Sequence, residues 1–90
     1  MPQAIVDPEE LRQFAQNLKK FNTEIQARIS MLGNQLATLT KTWRDQEQKK
    51  FSEEFEQQVK SVQRLIELIE EHVPYLVRKA EIIDEYLHQR

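Results

Sequence analysis

Glu85 and His88 stand three residues apart, the Glu-x-x-His spacing with which helical bundles hold carboxylate-bridged metal pairs. Such a site also takes a second Glu-x-x-His and further Glu residues facing the same core. The other histidine, His72, has Ile69 where that Glu would stand. The pattern is half built, and His72 and His88 read as solvent-facing or partly packed side chains; no metal or cofactor is expected. Nucleophilic catalysis needs a Ser or Cys beside a placed base. The sequence has no Cys, and its Ser residues are isolated at polar helical positions. One Gly, Gly33, is too few for a Gly-rich phosphate loop. Lys49-Lys50, Arg64 and Arg78-Lys79 could form a basic stripe, but Glu53, Glu54, Glu56 and Glu67 interleave with them, and the net charge is −2. That face reads as solvated and ion-paired, with no field to hold nucleic acid. The chemistry-bearing residues therefore exclude an enzyme and point to recognition between protein surfaces.

The elements that carry them must come from 90 residues, 39% apolar and 31% charged. This fits one domain, residues 1–90, with a narrow core that a partner completes. No apolar run approaches membrane-spanning length, so no membrane insertion is expected. The opening MPQAIVDPEE lacks the basic and apolar blocks of a signal peptide. Export would then proceed without a cleaved signal; the alternative is a cytoplasmic protein.

Asp7-Pro8-Glu9-Glu10 marks a helix start: a capping residue, Pro at the first helical position, and acids at the positive end of the helix dipole. Glu10 follows Asp7 at capping-box spacing. Apolar residues then recur at steps of three and four through Leu11, Phe14, Leu18, Phe21, Ile25, Ile29, Leu32, Leu36, Leu39 and Trp43. A second stripe of the same period runs through Phe51, Phe55, Val59, Val62, Ile66, Ile69, Val73, Leu76, Ala80, Ile83 and Leu87. Leu65, Leu68, Tyr75, Ile82 and Tyr86 widen it, which predicts contacts beyond one partner helix. Pro74 predicts a kink there, or a short break, since it lacks an amide hydrogen.

Two places could hold the turn. Gly33-Asn34 has turn composition, but the stripe passes through it in phase, and Gly within a helix costs only about 1 kcal/mol. Between Trp43 and Phe51 no apolar residue occurs, and Asp45 can cap a new helix with Gln48 at capping-box spacing. Folding there also sets Leu11 opposite Ala80, Phe14 opposite Leu76, Leu18 opposite Val73, Phe21 opposite Ile69, Ile25 opposite Ile66, and Leu36 opposite Phe55. The bend at Trp43 is preferred because this register uses nearly the whole chain.

Leu39, Trp43, Asp45 and Phe51, together with the opening DPEELRQFAQNL, resemble the WXG family. These are small helical hairpins related to the ESAT-type substrates of type VII secretion. In that family Trp-x-Gly forms the bend, with Leu four residues before the Trp and Phe eight after it. Here Asp45 stands in place of the Gly and Glu47 where a small residue is common. Asp tolerates turn geometry and can cap. Family members often carry a Tyr-x-x-x-Asp/Glu export signal. Here Tyr75 is followed at that spacing by Lys79, and Tyr86 by Arg90. One member of a secreted pair can carry the signal for both.

The expected fold is all-α: an antiparallel helical hairpin with a helix at about 8–42, a bend at about 43–45, and a helix at about 46–88 kinked near Pro74. Two long rods leave flanks uncovered, so the hairpins are expected to pair into a four-helix bundle. Its core is assigned to Leu11, Phe14, Leu18, Phe21, Ile25, Ile29, Leu32, Leu36, Phe55, Val59, Val62, Ile66, Ile69, Val73 and Leu76. The partner is a second copy or a paralogous small helical protein, and the resemblance adds the secretion machinery. The function expected is a non-enzymatic interaction module resembling a type VII substrate or adaptor. The alternative is a cytosolic structural or chaperone-like bundle unrelated to secretion.

Overall fold

A computed structural model of the chain describes residues 6–88. Two helices make up the fold: α1, Pro8–Leu39, and α2, Gln46–His88. They lie antiparallel as a rod with extents of 68 × 22 × 15 Å.

Side chains serve the exposed backbone groups at the helix ends. At the start of α1, Asp7 is extended and its Oδ1 accepts the Glu9 N–H at 2.9 Å, while the Leu11 N–H donates to the Asp7 carbonyl at 3.0 Å. The Asp7 carboxylate thus takes the amide of Glu9, not that of Glu10, so the expected capping-box bond is not made. α1 runs through Gly33, where an added Cβ would meet nothing within 4 Å. Its last regular residue is Leu39, short of the expected end near residue 42. Thr40, Lys41 and Thr42 wind into turns instead, their N–H groups donating to Leu36, Thr38 and Leu39 carbonyls at 2.9, 3.2 and 3.1 Å. The Thr40 hydroxyl donates to the Ala37 carbonyl at 2.7 Å, and Arg44 Nε to the Lys41 carbonyl at 3.1 Å. These groups satisfy carbonyls that a continuing helix would have used.

α2 runs unbroken through Pro74. The proline withholds the amide that would bond the Glu70 carbonyl. Packing holds this part of α2: Val73 and Ile69 close on Ala15, with Leu18, Leu76 and Val77 against them.

The seam between the helices is thin. Its buried members are Ala15, Asn22, Ile66, Ile69, Val73 and Ala80. Leu11, Leu18, Ile25, Ile29 and Leu36 line it half-buried from α1, Trp43 from the bend, and Phe55, Val59, Val62, Leu76 and Ile83 from α2. The expected pairing of Phe14 with Leu76 and of Phe21 with Ile69 across the seam is corrected. Phe14 and Phe21 are exposed, as is Leu32, and the buried places belong to Ala15 and Asn22, one residue further along. Helix axes in contact lie about 8–10 Å apart, and small residues permit the close end of that range. Ala15 and Ala80 are fully enclosed. A phenyl ring at either place would hold the helices apart.

Candidate partner interface

The displaced aromatic residues lie on one side of the hairpin. Seen from its N-terminus, a right-handed helix advances clockwise, so the residue just before a seam position lies a quarter-turn back. α2 runs the other way and faces the other way. The two reversals cancel, and the residue before a seam position points to the same side from both helices. Phe14 and Phe21 on α1, and Leu65, Leu68 and Tyr75 on α2, all hold that place and are all exposed. The residues just after the seam hold the opposite side. Gln16, Thr23, Gln26, Glu70, Arg78 and Glu81 edge an open groove there, whose floor is apolar: Ala15, Ile69, Val73, Pro74 and Val77. The exposed large apolar side chains Phe14, Phe21, Leu65, Leu68, Tyr75 and Ile82 thus gather on the side just before the seam.

At the bend, Trp43 is half-buried and its ring sits 6.3 Å from that of Phe51, which stacks at 6.0 Å on Phe55. Leu39 and Phe51 remain half exposed. Trp43 thus begins an aromatic ladder that closes the bend and continues onto the apolar side. Asp45 Oδ1 accepts the Gln48 N–H at 3.0 Å. Gln48 turns its own amide to Ser52 Oγ at 2.6 Å instead of back to the cap, so only the forward half of the expected capping box forms. Among the described residues no backbone φ is positive. The bend therefore has no need of glycine, which is the physical reason Asp45 can hold this position. Asp45→Asn should be nearly neutral, whereas Asp45→Leu should cost about 1 kcal/mol by removing the cap. Thermal melts followed by circular dichroism compare the two, and equal melting temperatures would remove the capping role.

Two polar contacts tie the helices together, and neither was expected from the sequence. Asn22 is buried, and its Nδ2 donates to the Ile66 carbonyl at 2.9 Å, while its Oδ1 has no hydrogen-bond partner. Arg12 bonds Asp84 across the seam and Glu9 on its own helix. The hydrogen bond that Arg12 donates to Asp84 pushes its guanidinium further up, partial burial opposes this, and Arg12 remains charged. Arg12 and Asp84 are each about one-third exposed, so this pair guides the open end of the hairpin more than it stabilises it. His72 and His88 are exposed, each with Nδ1 at the carbonyl one turn back, Leu68 at 2.9 Å and Asp84 at 2.8 Å. Among the described residues no three His, Cys, Asp or Glu converge as metal ligands would. None of the described helices is long and apolar enough to cross a membrane.

What the arrangement offers is surface: exposed apolar side chains along one side of the rod, backed by a thin seam. Comparison with known proteins agrees with such a form. The WXG100 family model, described as proteins of 100 residues with WXG, matches residues 3–83. No curated protein matches the chain in sequence. Among solved structures, the wild-type secreted protein EsxB of Bacillus anthracis strain Sterne is 32% identical, with a TM-score of 0.72 over 90% of this chain and 93% of that one. Two single-residue variants of EsxB align similarly. One is 31% identical, with a TM-score of 0.74 over 93% of this chain and 97% of that one. The other is 29% identical, with a TM-score of 0.76 over 92% and 99%.

Proposed function

This chain belongs to the WXG100 family, and from that premise we propose that it is a non-enzymatic interaction protein, a small substrate or adaptor of a type VII-like secretion system that works as one half of a helical pair. The observation that carries the reading is the exposed apolar side shared by α1 and α2. Soluble monomers rarely leave a contiguous apolar area of more than a few hundred Å2 uncovered. Here Phe14, Phe21, Leu65, Leu68, Tyr75 and Ile82 are all exposed on that side. A second hairpin laid on it makes a four-helix bundle and encloses these residues.

Secretion is supported by the EsxB structures, whose protein is described as secreted. One feature of the chain favours the cytosolic-bundle reading. Lys79 and Arg90 stand where the family's export signal has an acid after Tyr75 and Tyr86. A partner that bears the signal reconciles the two. The test is expression in a host with an intact type VII apparatus and in the same host without its secretion ATPase. Full-length protein is expected in the culture medium of the first and only in the cells of the second. Retention in the cells of both, with and without a signal-bearing partner, would overturn the secretion reading and leave the cytosolic bundle.

A further inference from the structure

The groove on the side away from Phe14 and Phe21 continues toward the bend as a second stretch, which shares Gln26 and Glu70 with the first. Together they run from Gln16 to Ser30 along α1 and from Gln63 to Glu81 along α2. At 1.5 Å per residue that is roughly 20–27 Å, four to five turns of helix. Asn22 lies in the floor beside Val73, Pro74 and Val77. It is 5% exposed, and its Oδ1 has no hydrogen-bond partner. Pro74 withholds a second donor from the same floor, the amide that would serve the Glu70 carbonyl. The groove thus holds two acceptors that the hairpin alone leaves unserved.

Its two walls differ in charge. At the register set by Asn22 and Ile66, Lys19 on α1 stands level with Glu70 on α2, and Glu67 follows one turn nearer the bend. All three are exposed. The other α1 side chains there, Gln16, Thr23 and Gln26, are uncharged. No ion pair links these walls: the salt bridges among the described residues are those of Arg12. A cationic wall and an acidic wall therefore face each other across an apolar floor. Pairing of hairpins through the Phe14 and Phe21 side would leave this groove open.

We propose that the groove binds an amphipathic helix of a different protein. Its apolar row lies on the floor, with Lys or Arg on the flank facing Glu67 and Glu70, and Asp or Glu on the flank facing Lys19. This rests on the reading of the chain as an interaction protein and adds a partner on the side that pairing does not use. A helix fits because its backbone bonds are internal, whereas a strand would lay unserved amides and carbonyls on the apolar floor. Lys and Arg also bring N–H donors, which the acceptors of the groove lack. A second copy cannot supply the helix once its own exposed apolar row is enclosed by pairing. The unlike flanks fix direction as well as partner: turned end for end, the helix would set like charges against both walls.

The test uses two 18-residue helical peptides of one composition and one Ala-Leu row, each with an N-terminal dansyl group. One carries Lys on one flank and Glu on the other; in the second the same charges are mixed on both flanks. By fluorescence anisotropy at low salt the first should bind about tenfold tighter or more, an advantage that shrinks at high salt. The variant Glu67→Lys, Glu70→Lys should weaken it about tenfold, as like charges then meet. Adding Lys19→Glu exchanges the walls and should restore binding with the peptide reversed. Energy transfer to dansyl from Trp43, the one Trp of the chain, reports that reversal. Phe21→Glu, on the other side of the rod, should leave peptide affinity within about threefold whatever it does to pairing. If the two peptides bind alike, or the wall variants change nothing, the proposal is overturned and pairing is untouched. If the peptides do not bind and the wall variants abolish self-association instead, the groove is where copies meet, and the proposal falls.

Discussion

Ile66→Asp is expected to unfold the hairpin, removing about 3 kcal/mol or more of stability. Ile66 is 6% exposed and lies in the middle of the seam. Replacing it forfeits roughly 1.5–3 kcal/mol of apolar burial, and the new carboxylate would enter surroundings that cannot neutralise it. Gln26, Ile29, Ser30, Gln63, Glu67 and Glu70 border this part of the seam, and none is a cation. Two of them are acids. At roughly 4 °C or more per kcal/mol for a domain of this size, the melting temperature should fall by at least about 12 °C. Gln57→Asp, exposed on the far side of α2, should stay within about 0.5 kcal/mol. Circular dichroism melts of the two variants beside wild type decide the matter. Equal melting would mean that the Ile66 row faces no core.

Phe21→Glu should act on association. Phe21 is 41% exposed in one chain, on the side shared with Leu65 and Leu68. In a symmetric pair the substitution is felt twice, each time losing an aromatic contact and burying a charge. Together these should weaken the pair by about 100-fold or more, which corresponds to about 2.7 kcal/mol. Sedimentation equilibrium at micromolar concentration should then report the single-chain mass where wild type gives twice that mass. Helicity in concentrated solution should remain near the wild-type level. A variant that stays paired would place the contact elsewhere. A variant that loses its helix at every concentration would return Phe21 to the seam.

Those two residues also show what the sequence makes legible. The helical class and the hairpin follow from step lengths and from the apolar gap after Trp43, which are local signals. The rotation of the seam is not local. Phe14 with Ala15, and Phe21 with Asn22, offer two adjacent rows, and hydrophobicity favours the aromatic one. Two helices meeting alone select by size instead, so Ala15 and Ala80 go inside and the rings go out. Asn22 could not be found from side-chain type, because Asn reads as surface and its partner is the backbone carbonyl of Ile66, which any residue could supply. The Arg12–Asp84 pair spans 72 positions and becomes visible only once the register is set. The wide stripe of α2 did carry a usable signal: Leu65, Leu68, Tyr75 and Ile82 exceed what one neighbouring helix can cover. The α1 row of Phe14, Phe21, Leu32 and Leu39 repeats that excess, but the thinner row was absorbed into the seam when read as a single stripe.

Pro74 gives α2 an internal boundary in time, although the helix is unbroken in space. The missing amide leaves the Glu70 carbonyl without its usual partner one turn on, so the two sides of α2 are joined there by fewer backbone bonds. Toward the bend, the segment is held by Asn22 against Ile66 and by Ile69 and Val73 against Ala15. Beyond Pro74, support comes from Leu76, Val77, Ala80, half-buried Ile83 and the Arg12–Asp84 pair, and the last turn, Glu85 to His88, lies past that pair. Cooperative units of a protein open at free energies set by such local support. The final turns of the described chain, past Asp84, are therefore expected to open at a lower free energy than the seam below them.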